Sequence, residues 1–205
     1  GVVKLEIGVD STSTLSAPKV EKFKSGKPIV FYGTSITQGG CASRPGMTYS
    51  NILGRWFDCE AINLGFSGNA RMDRSILEAI KRIDAQKYVI NCLPNCTQEI
   101  IRDSAYHFMS TLAKERPEVT IYMVENVEFT DRHINQRTAK DLIEKNRMWS
   151  DLYKQLRKEG YKNLRYIPSE GYVGTDDEHS VDGAHFTDLG FMRMAETFKK
   201  YLKKR

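Results

Sequence analysis

Five short apolar runs recur along this chain, at residues 28–32, 60–64, 88–93, 119–124 and 164–167. Segments of helical periodicity separate them, at 47–57, 73–83, 97–115, 136–159 and 187–203. Runs this short and this apolar suit strands buried on both faces, and parallel strands must be joined by crossovers. The alternation therefore predicts an α/β fold of three layers, α/β/α, around a five-stranded parallel sheet with right-handed crossovers. The flavodoxin-like strand order 2-1-3-4-5 is the simplest arrangement. Pro94 closes the third run because it has no N–H to donate. Thr97 suits a helix N-cap and Gly160 a helix C-terminus. Leu189, Met192, Met194, Phe198 and Leu202 are expected to face inward from the last helix.

The first run ends abruptly in Gly33-Thr34-Ser35-Ile36-Thr37-Gln38-Gly39-Gly40. Gly33 is expected to permit a tight turn. Ser35 then sits at the C-terminal edge of a strand, where open α/β sheets bind their ligands. Far along the chain, Asp182-Gly183-Ala184-His185 places an aspartate and a histidine three apart in a glycine-containing loop. A histidine takes a serine proton when a carboxylate orients its ring. Gly68 follows the second run, Asn95 the third, and Asp182 with His185 the fifth. A parallel sheet brings all of these loops to one edge.

GTSITQGG, INLGFSGNARMD (62–73), LPN (93–95) and DGAH (182–185), in that order, resemble the four blocks of the SGNH (GDSL-like) hydrolase superfamily. The likeness spans about residues 28–203. The first block has Gly-Thr-Ser-Ile where the family has Gly-Asp-Ser-Leu, and the third has Leu-Pro-Asn-Cys where the family has Gly-x-Asn-Asp. CLPN and DGAHFTDLG resemble the GDSL-like lipase/acylhydrolase subfamily that often carries a small β domain before the hydrolase. The resemblance implies Ser35 as nucleophile with His185 and Asp182 as its partners. It also implies an oxyanion hole from the Ser35 and Gly68 backbone N–H groups and the Asn95 side chain, with Gly65 the competing glycine. Glu125, Asn126, Tyr172 and His179 lie in loops beside these blocks and are candidate substrate contacts. Arg44 and Arg71 read as solvated loop residues that could hold an anionic substrate.

Residues 1–18 read as a strand and linker ahead of a hydrolase domain at 19–205. Val2, Val3, Leu5, Ile7 and Val9 alternate as a strand does. That strand is either the tail of a β domain lying upstream or an extra edge of the main sheet. Net charge is +5, but the basic residues are scattered, apart from a cluster from Lys199 to Arg205 on the last helix. No basic stripe with interleaved aromatics marks a nucleic-acid binder. No run approaches the roughly 20 apolar residues of a membrane span. The four cysteines, at 41, 59, 92 and 96, lack the paired spacing of a zinc site. One disulfide between Cys41 and Cys96 stays open.

The expectation is a serine ester hydrolase that uses no metal or cofactor and forms an acyl-enzyme on short-chain, acetyl-type esters. Carbohydrate O-acetyl esters are one such class. The alternatives are a lysophospholipase or thioesterase, and a non-catalytic carbohydrate-binding module. A secreted or periplasmic location is expected over a cytoplasmic one.

Overall fold

Five parallel strands form one sheet in the computed structural model, which describes residues 3–17, 19, 23–127 and 129–203. In chain order the strands are β1 (Ile29–Gly33), β2 (Ala61–Gly65), β3 (Lys87–Asn91), β4 (Thr120–Val124) and β5 (Leu164–Ile167). Their spatial order is β2-β1-β3-β4-β5, the order expected from the alternation. The strand order reverses beside β1, so crevices open at its C-terminal end. Gly33 pairs with Gly65 on one side and Asn91 on the other, which aligns the ends of the first three strands.

Period-two alternation divides the core. Val30 and Tyr32 of β1 face one layer, while Ile29 and Phe31 face the other. The first layer is α3 (Arg74–Ile80), α5 (Tyr106–Glu115) and α6 (Gln136–Lys158), with Leu77, Phe108 and Trp149 buried against the sheet. The second is α2 (Tyr49–Phe57) and α7 (Asp188–Leu202), with Tyr49, Ile52, Phe191 and Phe198 buried. Threonine hydroxyls accept the orphan N–H groups at the starts of these helices: Thr48 for α2 and Thr187 for α7. Thr97 does the same for the short α4 (Gln98–Ile100), as expected. Gly160, in the left-handed region, follows the end of α6.

Four local features depart from the sequence reading. First, a four-residue helix, α1 (Ser35–Gln38), follows β1 where a loop was expected. Second, the helix expected over 97–115 contains a π-helical stretch, Ile101–Ala105, between α4 and α5. Third, Leu189 is exposed on α7, whereas Phe191 and Ala195 take inward positions. Fourth, residues 3–10 form no strand, and Val3, Leu5, Ile7 and Val9 are exposed. An alternating segment becomes a strand only when an edge supplies ladder partners, and none reaches it among the described residues. Val2, Lys204 and Arg205 lie outside the described residues. No described helix is long and apolar enough to cross a membrane.

Candidate active site

The site begins where β1 stops. Thr34 is extended and caps α1, its Oγ1 accepting the Ile36 N–H at 3.2 Å. Ser35 is thereby the first residue of α1, raised above the sheet edge. A Cβ on Gly33 would lie 2.5 Å from the Asn91 carbonyl oxygen and would collide with Thr37. Gly33 is not among the described positive-φ residues. Its role is thus close approach of α1 to the sheet, not the φ freedom inferred from sequence. The far end of α1 is pinned by Asn63 Nδ2 donating to the Thr37 carbonyl at 2.6 Å and by a Thr37–Tyr49 hydroxyl contact of 2.9 Å. Gly65 lies beneath Gln38, where a Cβ would overlap the helix backbone. It holds α1 in place and is not part of the cleft wall.

Ser35 Oγ lies 2.8 Å from His185 Nε2. The other ring nitrogen, Nδ1, lies 2.6 Å from Asp182 Oδ2. Asp182 Oδ1 accepts the backbone N–H groups of His185 at 2.7 Å and Ala184 at 3.0 Å. The three-residue spacing lets one carboxylate hold both the backbone and the ring of the same histidine, across Gly183 in the left-handed region. These bonds, the His185 backbone N–H first, hold the Asp182 carboxyl at about 2, well below its ordinary value. The loop is tied down on both sides: Val181 N–H donates to the His185 carbonyl and Thr130 N–H to that of Gly183. In this chain of contacts an imidazole can accept the serine proton while an ionised carboxylate fixes its tautomer.

Gly68 and Asn95 line the same cleft as Ser35. Gly68 has φ +68°, and a Cβ there would meet nothing within 4 Å. Glycine is thus demanded by the left-handed backbone, not by a crowded neighbour. Arg71 Nε donates to the Gly68 carbonyl at 3.0 Å and stiffens that turn. The Ala70 N–H donates to Asn95 Oδ1 at 3.3 Å. A backbone N–H can only donate, so this contact fixes the amide and leaves its NH₂ as the free end. Asn95 sits in a 3₁₀ turn, Leu93–Asn95, directly after β3, and Leu93 is buried there. Tyr32 Oη accepts the Met72 N–H at 3.0 Å, which fastens the other end of the Gly68 loop to the sheet.

The groups open onto a cleft of about 310 Å³, lined by Ser35, Gly68, Asn95 and His185 with Thr34, Ser67, Ile36, Pro94, Ala184 and Phe129. The sequence reading missed Phe129 as a wall. It lies in the polar loop 125–135, where neither periodicity nor a motif marks a single aromatic residue.

Four expected substrate contacts do not line this cleft. Glu125 accepts the Tyr166 hydroxyl at 2.6 Å, the Ser169 N–H at 2.8 Å and the Ser169 hydroxyl at 2.9 Å. Asn126 is buried, and its backbone N–H and carbonyl both bond the Asn146 side chain. Tyr172 is buried with its hydroxyl on the Glu125 carbonyl. His179 is buried edge-on against Phe186. Glu125 and Tyr172 tie together the loops after β4 and β5, and the Asn126 backbone fastens the first of them to α6. Arg44 is exposed near Ser43 and Asp188, away from the cleft wall. All four cysteines are free thiols; Cys41 is exposed and Cys96 buried, so the Cys41–Cys96 disulfide does not form.

A family model described as "GDSL-like Lipase/Acylhydrolase family" matches residues 26–203. The fold is similar to that of a Bacteroides ovatus protein described as a GDSL-like lipase, at TM-score 0.85 and 36% identity over 90% of this chain. It is also similar to the salicylyl-acyltransferase SsfX3 of a tetracycline biosynthetic pathway, at TM-score 0.74 and 16% identity over 92% of this chain. A two-domain esterase active on acetylated mannans matches at TM-score 0.64 and 18% identity over 87%. The chain spans about half the length of these proteins: 54%, 56% and 49% respectively. No curated protein matches it.

Proposed function

This chain belongs to the GDSL-like lipase/acylhydrolase family, and on that premise we propose that it hydrolyses short-chain, acetyl-type esters through an acyl-enzyme on Ser35. Membership supports an ester-hydrolase reading in general. The observation that carries the finer reading is the unbroken contact from Ser35 Oγ through His185 to Asp182, at 2.8 and 2.6 Å, in a cleft that Gly68 and Asn95 also line.

In this mechanism His185 Nε2 takes the Ser35 proton as Oγ attacks the ester carbonyl carbon. The oxygen that gains charge is held by the Ser35 and Gly68 N–H groups and the Asn95 amide. Ionised Asp182 stabilises the imidazolium. The bond to the alkoxy oxygen then breaks, and His185 delivers its proton to the departing alcohol. Water attacks the acyl-Ser35 carbonyl, gives its proton to His185, and the carboxylic acid leaves as Ser35 regains a proton.

The cleft supports the proposed substrate class. Its volume of about 310 Å³ is at the small end of ligand sites. The polar groups of Ser67 and Asn95 beside Phe129 suit a short acyl group on a hydroxyl-rich alcohol. Carbohydrate O-acetyl esters are the class proposed, and the fold likeness to an esterase active on acetylated mannans is compatible with it.

The test is hydrolysis of p-nitrophenyl acetate and of acetylated sugars by the wild type and Ser35→Ala, with fluorophosphonate labelling. Turnover lost with the serine and a label on Ser35 are expected. A folded wild type with neither turnover nor label overturns the reading. Faster turnover of long-chain or thioester substrates overturns the substrate class alone.

A further inference from the structure

Cys41 is left unused by the reaction above, yet it lies beside it. One ligand atom each from Cys41, Asp182 and His185 falls within 4.8 Å of the others. The thiol is held there by its loop. Gly40 N–H donates to the Ser35 carbonyl at 2.8 Å, and Ala42 N–H to that of Gly39 at 3.1 Å. Ser43 gives its N–H and its hydroxyl to the two carboxylate oxygens of Asp188, at 2.9 and 2.5 Å. The loop packs on the imidazole itself, since a Cβ on Gly40 would lie 3.3 Å from His185 Cδ2. Cys41 is therefore anchored on both sides, next to the histidine.

We propose that Cys41, Asp182 and His185 chelate a zinc-like divalent cation, and that occupancy switches off the hydrolase. A thiolate, an imidazole and a carboxylate are the donor set of a borderline-soft ion such as Zn²⁺, with Zn–S about 2.3 Å and Zn–N about 2.0–2.1 Å. Such bonds set ligand atoms roughly 3–4 Å apart, so binding requires the exposed Cys41 side chain to swing inward and the Asp182 carboxylate to draw back from its 2.6 Å contact with the ring. Water completes the four ligands. On binding, the thiol proton leaves to solvent. If the ion takes Nδ1, the imidazole proton moves to Nε2; if it takes Nε2, the lone pair facing Ser35 is consumed. Either way His185 has no lone pair with which to accept the Ser35 proton. The ion is an inhibitor and not a cofactor. The binding half of the proposal stands alone, while the switch rests on the ester-hydrolase reading.

The test compares wild type, Cys41→Ala and Ser35→Ala. Zn²⁺ binding is measured by competition with a chromophoric chelator, and Co²⁺ reports a thiolate-to-metal absorption band. Wild type and Ser35→Ala are expected to bind one ion per chain with the band present. Cys41→Ala should lose the band and at least about 10–100-fold in affinity, the scale seen even for groups that only support metal ligands. Wild-type ester hydrolysis should fall in step with Zn²⁺ occupancy and return with EDTA. Cys41→Ala should keep its basal activity when Zn²⁺ is added. Equal affinity in Cys41→Ala, or no band in the wild type, overturns the site. A wild type saturated with Zn²⁺ yet fully active overturns the switch. A wild type with no ester turnover sinks the hydrolase reading and the switch with it, while the band and the competition still decide the site.

Discussion

The Ala70 N–H donates to the Asn95 side-chain oxygen at 3.3 Å, tying the loop after β2 to the turn after β3. One contact thus sets both the distance between two donor-bearing loops and the direction in which the Asn95 amide points.

Asn95→Ala should therefore lower kcat by about 10²–10³ with KM little changed, the usual loss for one donor that acts on the transition state. Asn95→Asp should be no better, because the Ala70 contact claims one oxygen and the other cannot donate. Steady-state kinetics on p-nitrophenyl acetate check both. An unchanged kcat would remove Asn95 from the oxyanion site.

Asp182 is held at about 2 mainly by backbone N–H groups and then by the His185 ring. His185→Ala should raise its pKa yet leave it below that of a free carboxylate, because the Ala184 and His185 N–H groups remain. Carboxyl NMR titration reads this directly. A depressed folded pKa means that the carboxylate stabilises the fold above about 3.9, its ordinary value. That contribution is lost as pH falls toward about 2. The side chain is half-exposed, so the effect on Tm should be small. Asp182→Asn should keep the fold and cut kcat by up to about 10⁴, as a misplaced tautomer does.

Tyr32→Phe should cost about 1–3 kcal/mol, because it strands the buried Met72 N–H. Met72 is itself left-handed, at φ +59°, so the loop should relax once the contact is gone. Denaturant unfolding measures the loss, and a parallel drop in kcat would report movement of Gly68. Gly68→Ala should cost about 1–2 kcal/mol for the left-handed backbone alone and proportionately more in activity.

Glu125→Gln and Tyr172→Phe should leave KM unchanged and lower stability. The Glu125 carboxylate serves Tyr166 and Ser169, and the Tyr172 hydroxyl serves the Glu125 carbonyl. Thermal melts with substrate kinetics on the same preparations check this. A raised KM without a lowered Tm would return these residues to the substrate.

Strand positions and order were legible because each strand is a short apolar run with a sharp stop. Ser35, Asp182 and His185 were legible because their spacing and their places after strands both point to one sheet edge. Gly33 was found for the wrong reason: sequence gives no sight of the Asn91 carbonyl pressing on it from another strand. Glu125, Asn126, Tyr172 and His179 look like substrate contacts from their loops, but only the packing reveals which polar groups those loops consume internally. Phe129 and Cys41 reach the site from loops with no periodicity, and their nearness to His185 is a property of folded space alone. Residues 3–10 kept a strand pattern without an edge to pair with.

Ser35 and His185 are 150 residues apart in the chain yet in contact in the fold. A polypeptide made from its N-terminus therefore carries its serine long before its histidine exists. Neither a nascent fragment nor a chain cut short before β5 and α7 can assemble the pair. Esterase turnover, if it proceeds as proposed, should then appear only once the segment carrying β5, Asp182 and His185 has been made, and can serve as a clock for the closing of this sheet edge during synthesis.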